Sequence, residues 1–110
     1  MKTLVKKNKL SDLFLTEKEH IENIKRKRPD LYKMLEKPSP KARLAANVYR
    51  LRNASKLTQK ELADKAEIGL KTFQRIEMAQ PNSNPTMDVI AGLAKALKVD
   101  IQELYGPVEI

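Results

Sequence analysis

The twenty residues 58–77, TQKELADKAEIGLKTFQRIE, contain two helix starts separated by a very short interruption. Thr58, followed three residues later by Glu61, is a capping-box pair that predicts the start of the first helix. Apolar residues three positions apart in the FQRI stretch predict the second helix. Only about three residues, 67–69, remain to connect them. Helices joined by so short a turn must cross steeply instead of lying antiparallel, so the rest of the chain has to pack around that crossing.

Helical periodicity extends over most of the remaining chain. Apolar residues recur three or four positions apart, prolines separate the segments, and nothing convincingly predicts a strand. Ser39 and Pro40 mark the start of the main domain, because serine can cap a helix and proline fits its first turn. The expected fold class is all-α, with a five-helix domain over residues 39–106. A helical N-terminal arm or extension over residues 1–38 precedes this domain, and a tail at 107–110 follows it.

Two short helices are predicted within the N-terminal arm. A second capping-box pair, Thr16 and Glu19, predicts a helix that continues to about Lys27 and ends at Pro29. A shorter apolar stripe follows at Leu31, Met34 and Leu35. The run KRKR, residues 25–28, resembles a nuclear localisation signal, but charge runs of this size are usually solvated. Contact with DNA or with a partner is the alternative interpretation of this run.

The charge of the chain is strongly basic and unevenly distributed. Lys and Arg number 22 against 14 Asp and Glu, which leaves a net charge of +8. Residues 1–40 carry eleven basic and six acidic residues, 41–80 carry nine and four, and 81–110 carry two and four. This excess predicts attraction to a polyanion, although an acidic protein or a membrane surface would also be attracted. The last thirty residues are not expected to face that polyanion.

Several classes of protein are excluded by composition. The absence of Cys and the single histidine, His20, exclude disulfides, thiolate zinc sites and histidine-based metal clusters. We expect no enzyme activity and no cofactor, because a Gly-rich phosphate loop and a convincing carboxylate pair are also missing. The N-terminus lacks a signal-peptide core, and no stretch is long enough to span a bilayer. A soluble, cytoplasmic protein is therefore expected, with no membrane partner.

Three stretches of the sequence resemble a known family. LRNASKLTQKELA, FQRIE and PTMDVIAGLAKALKVDIQELY are similar to segments of the Cro/CI-like (XRE) helix-turn-helix family, the DNA-binding domains of phage repressors and many bacterial regulators. The resemblance covers about residues 43–106. It implies a lambda-repressor-like domain whose third helix, at about 69–77, lies in the major groove of double-stranded DNA.

The resemblance also implies roles for individual residues. The residues expected to contact bases are Leu70, Lys71, Thr72, Gln74 and Arg75. The residues expected to contact phosphates are Gln59, Lys60, Lys56 and Arg52. A structural ion pair is expected between Arg52 and Glu77, and it would fix the first domain helix to the end of the third.

The sequence departs from the family pattern at the turn and in the following loop. Glu67 occupies a turn position that usually carries glycine, so we expect Gly69 to take part of the backbone strain. Gly69 also replaces the Ser or Thr that often caps the recognition helix. The loop after Glu77 is about two residues longer than usual and carries no Lys or Arg.

Three functions remain open from the sequence. The first is a transcriptional regulator, a repressor acting as a homodimer on a palindromic operator, with Ile101, Leu104 and Tyr105 as candidate interface residues. The second is an antitoxin of a toxin–antitoxin operon, which would bind a toxin partner through residues 1–38 and repress its own promoter. The third is a protein-interaction adaptor that keeps the fold without contacting bases.

Overall fold

The computed structural model describes residues 17–108, and within this range the chain forms seven helices and no strand. The helices are α1 (Glu17–Lys27), α2 (Pro29–Met34), α3 (Pro40–Ala54), α4 (Gln59–Lys65), α5 (Leu70–Glu77), α6 (Met87–Leu97) and α7 (Ile101–Leu104). The predicted all-α class is therefore confirmed. Thr16, one half of the capping pair predicted for α1, lies outside the described residues. No helix in the described range is both long and apolar enough to cross a membrane.

Three of the helices begin at hydroxyl side chains that cap their first turn. The hydroxyl of Ser39 accepts a hydrogen bond from the backbone N–H of Ala42 at 3.2 Å. Thr58 and Glu61 form a complete capping box, with bonds of 3.0 and 2.8 Å in opposite directions. Thr86 caps α6 with a single bond of 3.2 Å. Such caps satisfy N–H groups that a helix leaves unpaired, and each stabilises its helix by about 1 kcal/mol.

Helix α3 lies at the centre of the fold and has two apolar faces. Leu44, Val48 and Leu51 face a first cluster that holds α3 to α7 together. The other buried members of this cluster are Leu62, Ala63, Ala66, Phe73, Ile76, Ile90, Leu93, Ala94, Leu97 and Leu104. Because α3 is buried on two sides, it lacks the single apolar stripe of a surface helix.

The second apolar face of α3 holds the N-terminal extension. Ile21 and Ile24 of α1 and Leu31 and Leu35 in and after α2 belong to a separate cluster. Their partners on α3 are Ala42, Ala45, Ala46 and Tyr49. The small alanine side chains allow the larger residues of the extension to approach the α3 backbone closely. Residues 17–38 therefore complete their core by using α3.

The last helix is anchored to α3 from the C-terminal side. The side-chain amide of Asn47 donates hydrogen bonds to the carbonyl oxygens of Leu104 and Gly106, at 3.0 and 3.1 Å. Leu104 is fully buried in the first cluster. The prediction that Leu104 lies in an intersubunit interface is wrong, because its side chain is already buried in the core of one protomer. Ile101 and Tyr105 are half-buried against the same core.

The only histidine of the chain is buried on the inner face of α1. His20 is 1% exposed, and neither ring nitrogen has a hydrogen-bond partner among the described residues. Burial, together with the positive charge of Arg50, lowers the pKa of His20 from 6.5 to about 4. Both causes disfavour the protonated ring. The packing of α1 therefore requires a neutral imidazole.

Acid should weaken the folded protein through His20. Its pKa is lower in the folded than in the unfolded chain, so the stabilisation is complete above pH 6.5 and is lost as pH falls towards 4. We expect a loss of about 3 kcal/mol from this group by about pH 4. The measurement is urea unfolding at about pH 7 and pH 4 for wild type and His20→Leu, which lacks the titrating ring. An equal loss in the two proteins would contradict the assignment.

Candidate nucleic-acid interface

The connection between α4 and α5 is a tight turn at residues 66–69. The N–H of Ile68 donates to the carbonyl of Ala63 at 3.0 Å, and the N–H of Glu67 donates to the carbonyl of Asp64 at 3.1 Å. These two bonds form a Schellman motif, which places the residue after the C-cap in the left-handed region. Ile68 packs against the first cluster. The turn is thus fixed both by hydrogen bonds and by an apolar contact.

The left-handed position in this turn is occupied by Glu67. Its φ is 60°, whereas Gly69 has a φ of −69° in extended backbone. The expectation that Gly69 shares the strain is wrong, because the hydrogen bonds of the Schellman motif require the left-handed conformation at position 67. Gly69 acts as the N-cap of α5 and contributes no side-chain bond. Lys56, Ala79 and Lys98 occupy equivalent left-handed positions after α3, α5 and α6.

Helix α5 has one buried face and one exposed face. Phe73, Ile76 and Glu77 are buried. The residues predicted to contact bases lie mainly on the opposite face, where Leu70 is 37% exposed and Lys71, Gln74 and Arg75 are exposed. Thr72 is half-buried, beside the backbone of Gly69. Four of the five predicted residues are therefore accessible on one helix.

A buried carboxylate at the end of α5 connects three helices. Arg52 of α3 donates to Glu77 through Nε at 2.7 Å and through Nη2 at 3.2 Å. Gln59 of α4 donates its side-chain amide to the same carboxylate at 2.8 Å and accepts a bond from Gln74 at 3.2 Å. The Glu77 side chain is only 2% exposed and that of Arg52 is 13% exposed. The structure thus brings the expected Arg52 and Glu77 pair together and adds two glutamines to it.

The four residues predicted to contact phosphates fall into two groups. Lys56 and Lys60 are exposed beside the start of α4, and Lys60 also pairs with Asp64 at 3.3 Å. Arg52 and Gln59 direct their polar groups into the protein, since Arg52 also donates through Nη1 to the carbonyl of Leu57 at 2.9 Å. Only the two lysines present exposed positive charge to the surroundings.

One residue at this site was not identified from the sequence. Arg28, between α1 and α2, donates through Nη2 to the backbone carbonyl of Glu77 at 3.1 Å. Its guanidinium also lies 5.4 Å from the ring centre of Tyr49, and that of Arg52 lies 5.8 Å from the same ring. The basic run at residues 25–28 was the only sequence signal for Arg28. The sequence does not show that Arg28 lies against the end of α5, 49 residues away.

Comparison with known proteins finds a match for the region from the middle of α3 to the end of α7. A family model described as helix-turn-helix matches residues 48–104, just over half of the 110-residue chain. No curated protein and no solved structure matches the chain. The matched segment includes α4, the turn, α5 and all of the residues predicted to contact bases.

Glycine at the turn should stabilise the fold. Glu67 is exposed and has a positive φ, so Glu67→Gly removes a Cβ from a conformation that disfavours it. We expect a gain of about 1 kcal/mol in the free energy of unfolding, measured by urea denaturation. Glu67→Ala is the matched control, because it removes the carboxylate but keeps the Cβ. The explanation fails if both variants change stability equally.

Removing the buried carboxylate should be costly. Glu77→Ala leaves Arg52 and Gln59 without their shared acceptor, and we expect a loss of about 3 kcal/mol in the free energy of unfolding. Asp64→Ala is the control, since it breaks the exposed Lys60 pair and should cost at most about 0.5 kcal/mol. Urea denaturation measures both values. A loss from Glu77→Ala no larger than that of the control would show that the buried pair does not hold the helices.

Proposed function

Because the chain belongs to the Cro/CI-like (XRE) helix-turn-helix family of DNA-binding regulators, we propose that it is a sequence-specific transcriptional repressor. In this proposal α5 lies in the major groove of an operator. The observation that carries the proposal is the exposed face of α5, where Lys71, Gln74 and Arg75 project from a helix anchored by Phe73 and Ile76. A rigid helix with polar, accessible side chains is what base recognition requires.

Each exposed residue of α5 suits a different feature of the base edges. We assign Arg75 to guanine, because its planar guanidinium can donate to O6 and N7 together. Lys71 and Gln74 can bond a base or a phosphate, and Leu70 can contact a thymine methyl group. The bond from Gln74 to Gln59 at 3.2 Å restrains one of these side chains before DNA binds. Because Thr72 is half-buried, we assign it the smallest contribution to base contact.

Phosphate contacts are assigned to the two exposed lysines near the start of α4. Lys56 and Lys60 flank the first turn of α4, and their charges suit the sequence-independent part of the affinity. Arg52 and Gln59 are engaged with Glu77, so we assign them chiefly to the positioning of α5. This assignment separates the residues that recognise bases from those that supply sequence-independent affinity.

We further propose that the repressor binds as a homodimer to a palindromic operator. One recognition helix contacts only a few base pairs, and two-fold repetition is the common way to gain specificity. Light scattering at micromolar protein concentration, with and without the operator, tests this part. A monomer under both conditions would contradict it.

An antitoxin is the second candidate function. It is favoured by the extension α1 and α2, which lies outside the matched family segment and packs on α3 as an additional layer. A toxin partner would bind this layer, while α5 would bind the promoter of the toxin–antitoxin operon and thereby repress it. Isolation of the protein from its native host, followed by identification of any small partner, distinguishes the antitoxin from a simple repressor.

Selection from a randomised duplex library tests the main proposal. The protein is incubated with the library at about 150 mM salt, where weak backbone binding is largely screened, and the surviving duplexes are sequenced. A palindromic enriched motif would establish a dimeric regulator that recognises bases. Binding at low salt without any enrichment would contradict it and would leave the antitoxin or adaptor functions.

Replacement of Arg75 should alter base preference. Arg75→Ala should cost about 1–3 kcal/mol on the selected motif and relax the preference at one position, because a bidentate contact is lost. Lys60→Ala should instead weaken binding to all sequences alike and lower the salt slope by about 1. Lys95→Ala, an exposed lysine on α6, is the control for loss of one charge. An unchanged motif with Arg75→Ala would refute its assignment to a base.

A further inference from the structure

The corner between α1 and α2 is held against the end of the recognition helix. Arg28 forms this corner and donates to the carbonyl of Glu77, the last residue of α5, at 3.1 Å. The same guanidinium lies over Tyr49 and pairs with Asp30 at 3.5 Å. Contacts from one side chain to α5, α3 and α2 fix the position of the corner relative to α5.

The surface of this corner is strongly cationic. Lys25, Arg26 and Lys27 occupy the last turn of α1 and are all exposed. Lys25 lies 5.6 Å from the ring centre of Tyr32, and Arg26 bonds to Asn23 at 3.4 Å, so both side chains are partly oriented. Three accessible positive charges therefore lie beside the one, Arg28, that attaches the corner to α5.

The loop that follows α5 carries no charge of its own. Residues 78–86, MAQPNSNPT, contain neither Lys nor Arg, as they contain neither Asp nor Glu. Lys41 of α3 reaches this loop, but its ammonium donates to the carbonyl of Pro81. The three cations of the corner are thus the exposed positive charges that the Arg28 contact ties to the end of α5.

The length of α5 indicates where this end would lie on DNA. Eight residues at about 1.5 Å each give about 12 Å, which is close to the width of about 12 Å of the major groove. A helix of this length has its C-terminal end near the rim of the groove when its first turn contacts base edges. Phosphates run along that rim, with about one negative charge per 1.7 Å of duplex axis.

We propose that the exposed cations of the corner, Lys25, Arg26 and Lys27, bind the phosphate backbone of the duplex that α5 occupies. The proposal rests on the proposed DNA-binding function and extends it to a surface outside the matched family segment. The N-terminal extension then supplies the positively charged contacts to the phosphate backbone that the uncharged loop after α5 cannot make. These contacts are independent of sequence, and they increase affinity without changing base preference.

Salt-dependent binding of a triple variant tests this proposal. The variant Lys25→Ala, Arg26→Ala, Lys27→Ala should lower the slope of log K against log salt by about 2 to 3, because each lost phosphate contact removes about 0.9. Affinity at about 150 mM salt should fall roughly 10- to 100-fold on selected and on random duplexes alike. The enriched motif should stay the same as that of wild type.

The matched control removes three other exposed lysines. Lys65, Lys95 and Lys98 line the groove between α4 and α6. The control variant Lys65→Ala, Lys95→Ala, Lys98→Ala changes the net charge by the same amount. Its salt slope should change by less than about 0.5, because none of these lysines is tied to the end of α5. Equal effects of the two triple variants would overturn the proposal and attribute the loss to net charge alone.

The remaining outcomes also separate this proposal from the proposed function. An unchanged slope in the corner variant overturns the proposal, while continued enrichment of a motif leaves the repressor function intact. Failure of wild type to bind any duplex at about 50 mM salt overturns both. A second corner variant with Gln at the three positions keeps unbranched polar side chains without positive charge, and it shows whether any loss comes from altered folding of α1. If the Ala variant lowers the salt slope but the Gln variant keeps the wild-type slope, the contact does not depend on charge. That result would also overturn the proposal.

Discussion

The buried carboxylate of Glu77 determines how α3, α4 and α5 are held together. A carboxylate that is 2% exposed must be paired, because burial of an unpaired charge is very costly. Here it accepts two bonds from Arg52 and one from Gln59. Arg28 donates a hydrogen bond to the backbone carbonyl of the same residue. The end of α5 is therefore fixed by polar contacts from three other parts of the chain, while the turn at Glu67 fixes its beginning.

Helix α3 joins this polar junction to both apolar clusters. Its Leu44 and Val48 face the core of the matched helix-turn-helix segment, and its alanines face α1 and α2. Arg52 leaves the same helix to reach Glu77. A change in how the extension packs on α3 would therefore act on the element that also holds the end of α5. This arrangement gives the extension a physical connection to the surface that we propose binds DNA.

The distribution of charge follows the same organisation. The exposed lysines near α4, the outer face of α5 and the corner at residues 25–28 are positive, whereas the segment 81–110 has more acidic than basic residues. Positive charge that is concentrated on one surface attracts a polyanion and orients the protein as it approaches. In the proposed function, base preference depends on the few side chains that α5 presents.

The sequence alone determined the features that depend on near neighbours. The caps at Ser39 and Thr58, the short turn and the exposed face of α5 follow from residues a few positions apart, because capping bonds and helical periodicity are local. The left-handed conformation of Glu67 also comes from local hydrogen bonds, although the residue type did not indicate it. The tertiary structure decided the burial of Leu104 and the contact between Arg28 and Glu77. The last of these joins residues 49 positions apart. Contacts of this kind exist only when separate helices pack, and local sequence patterns do not specify which surfaces meet.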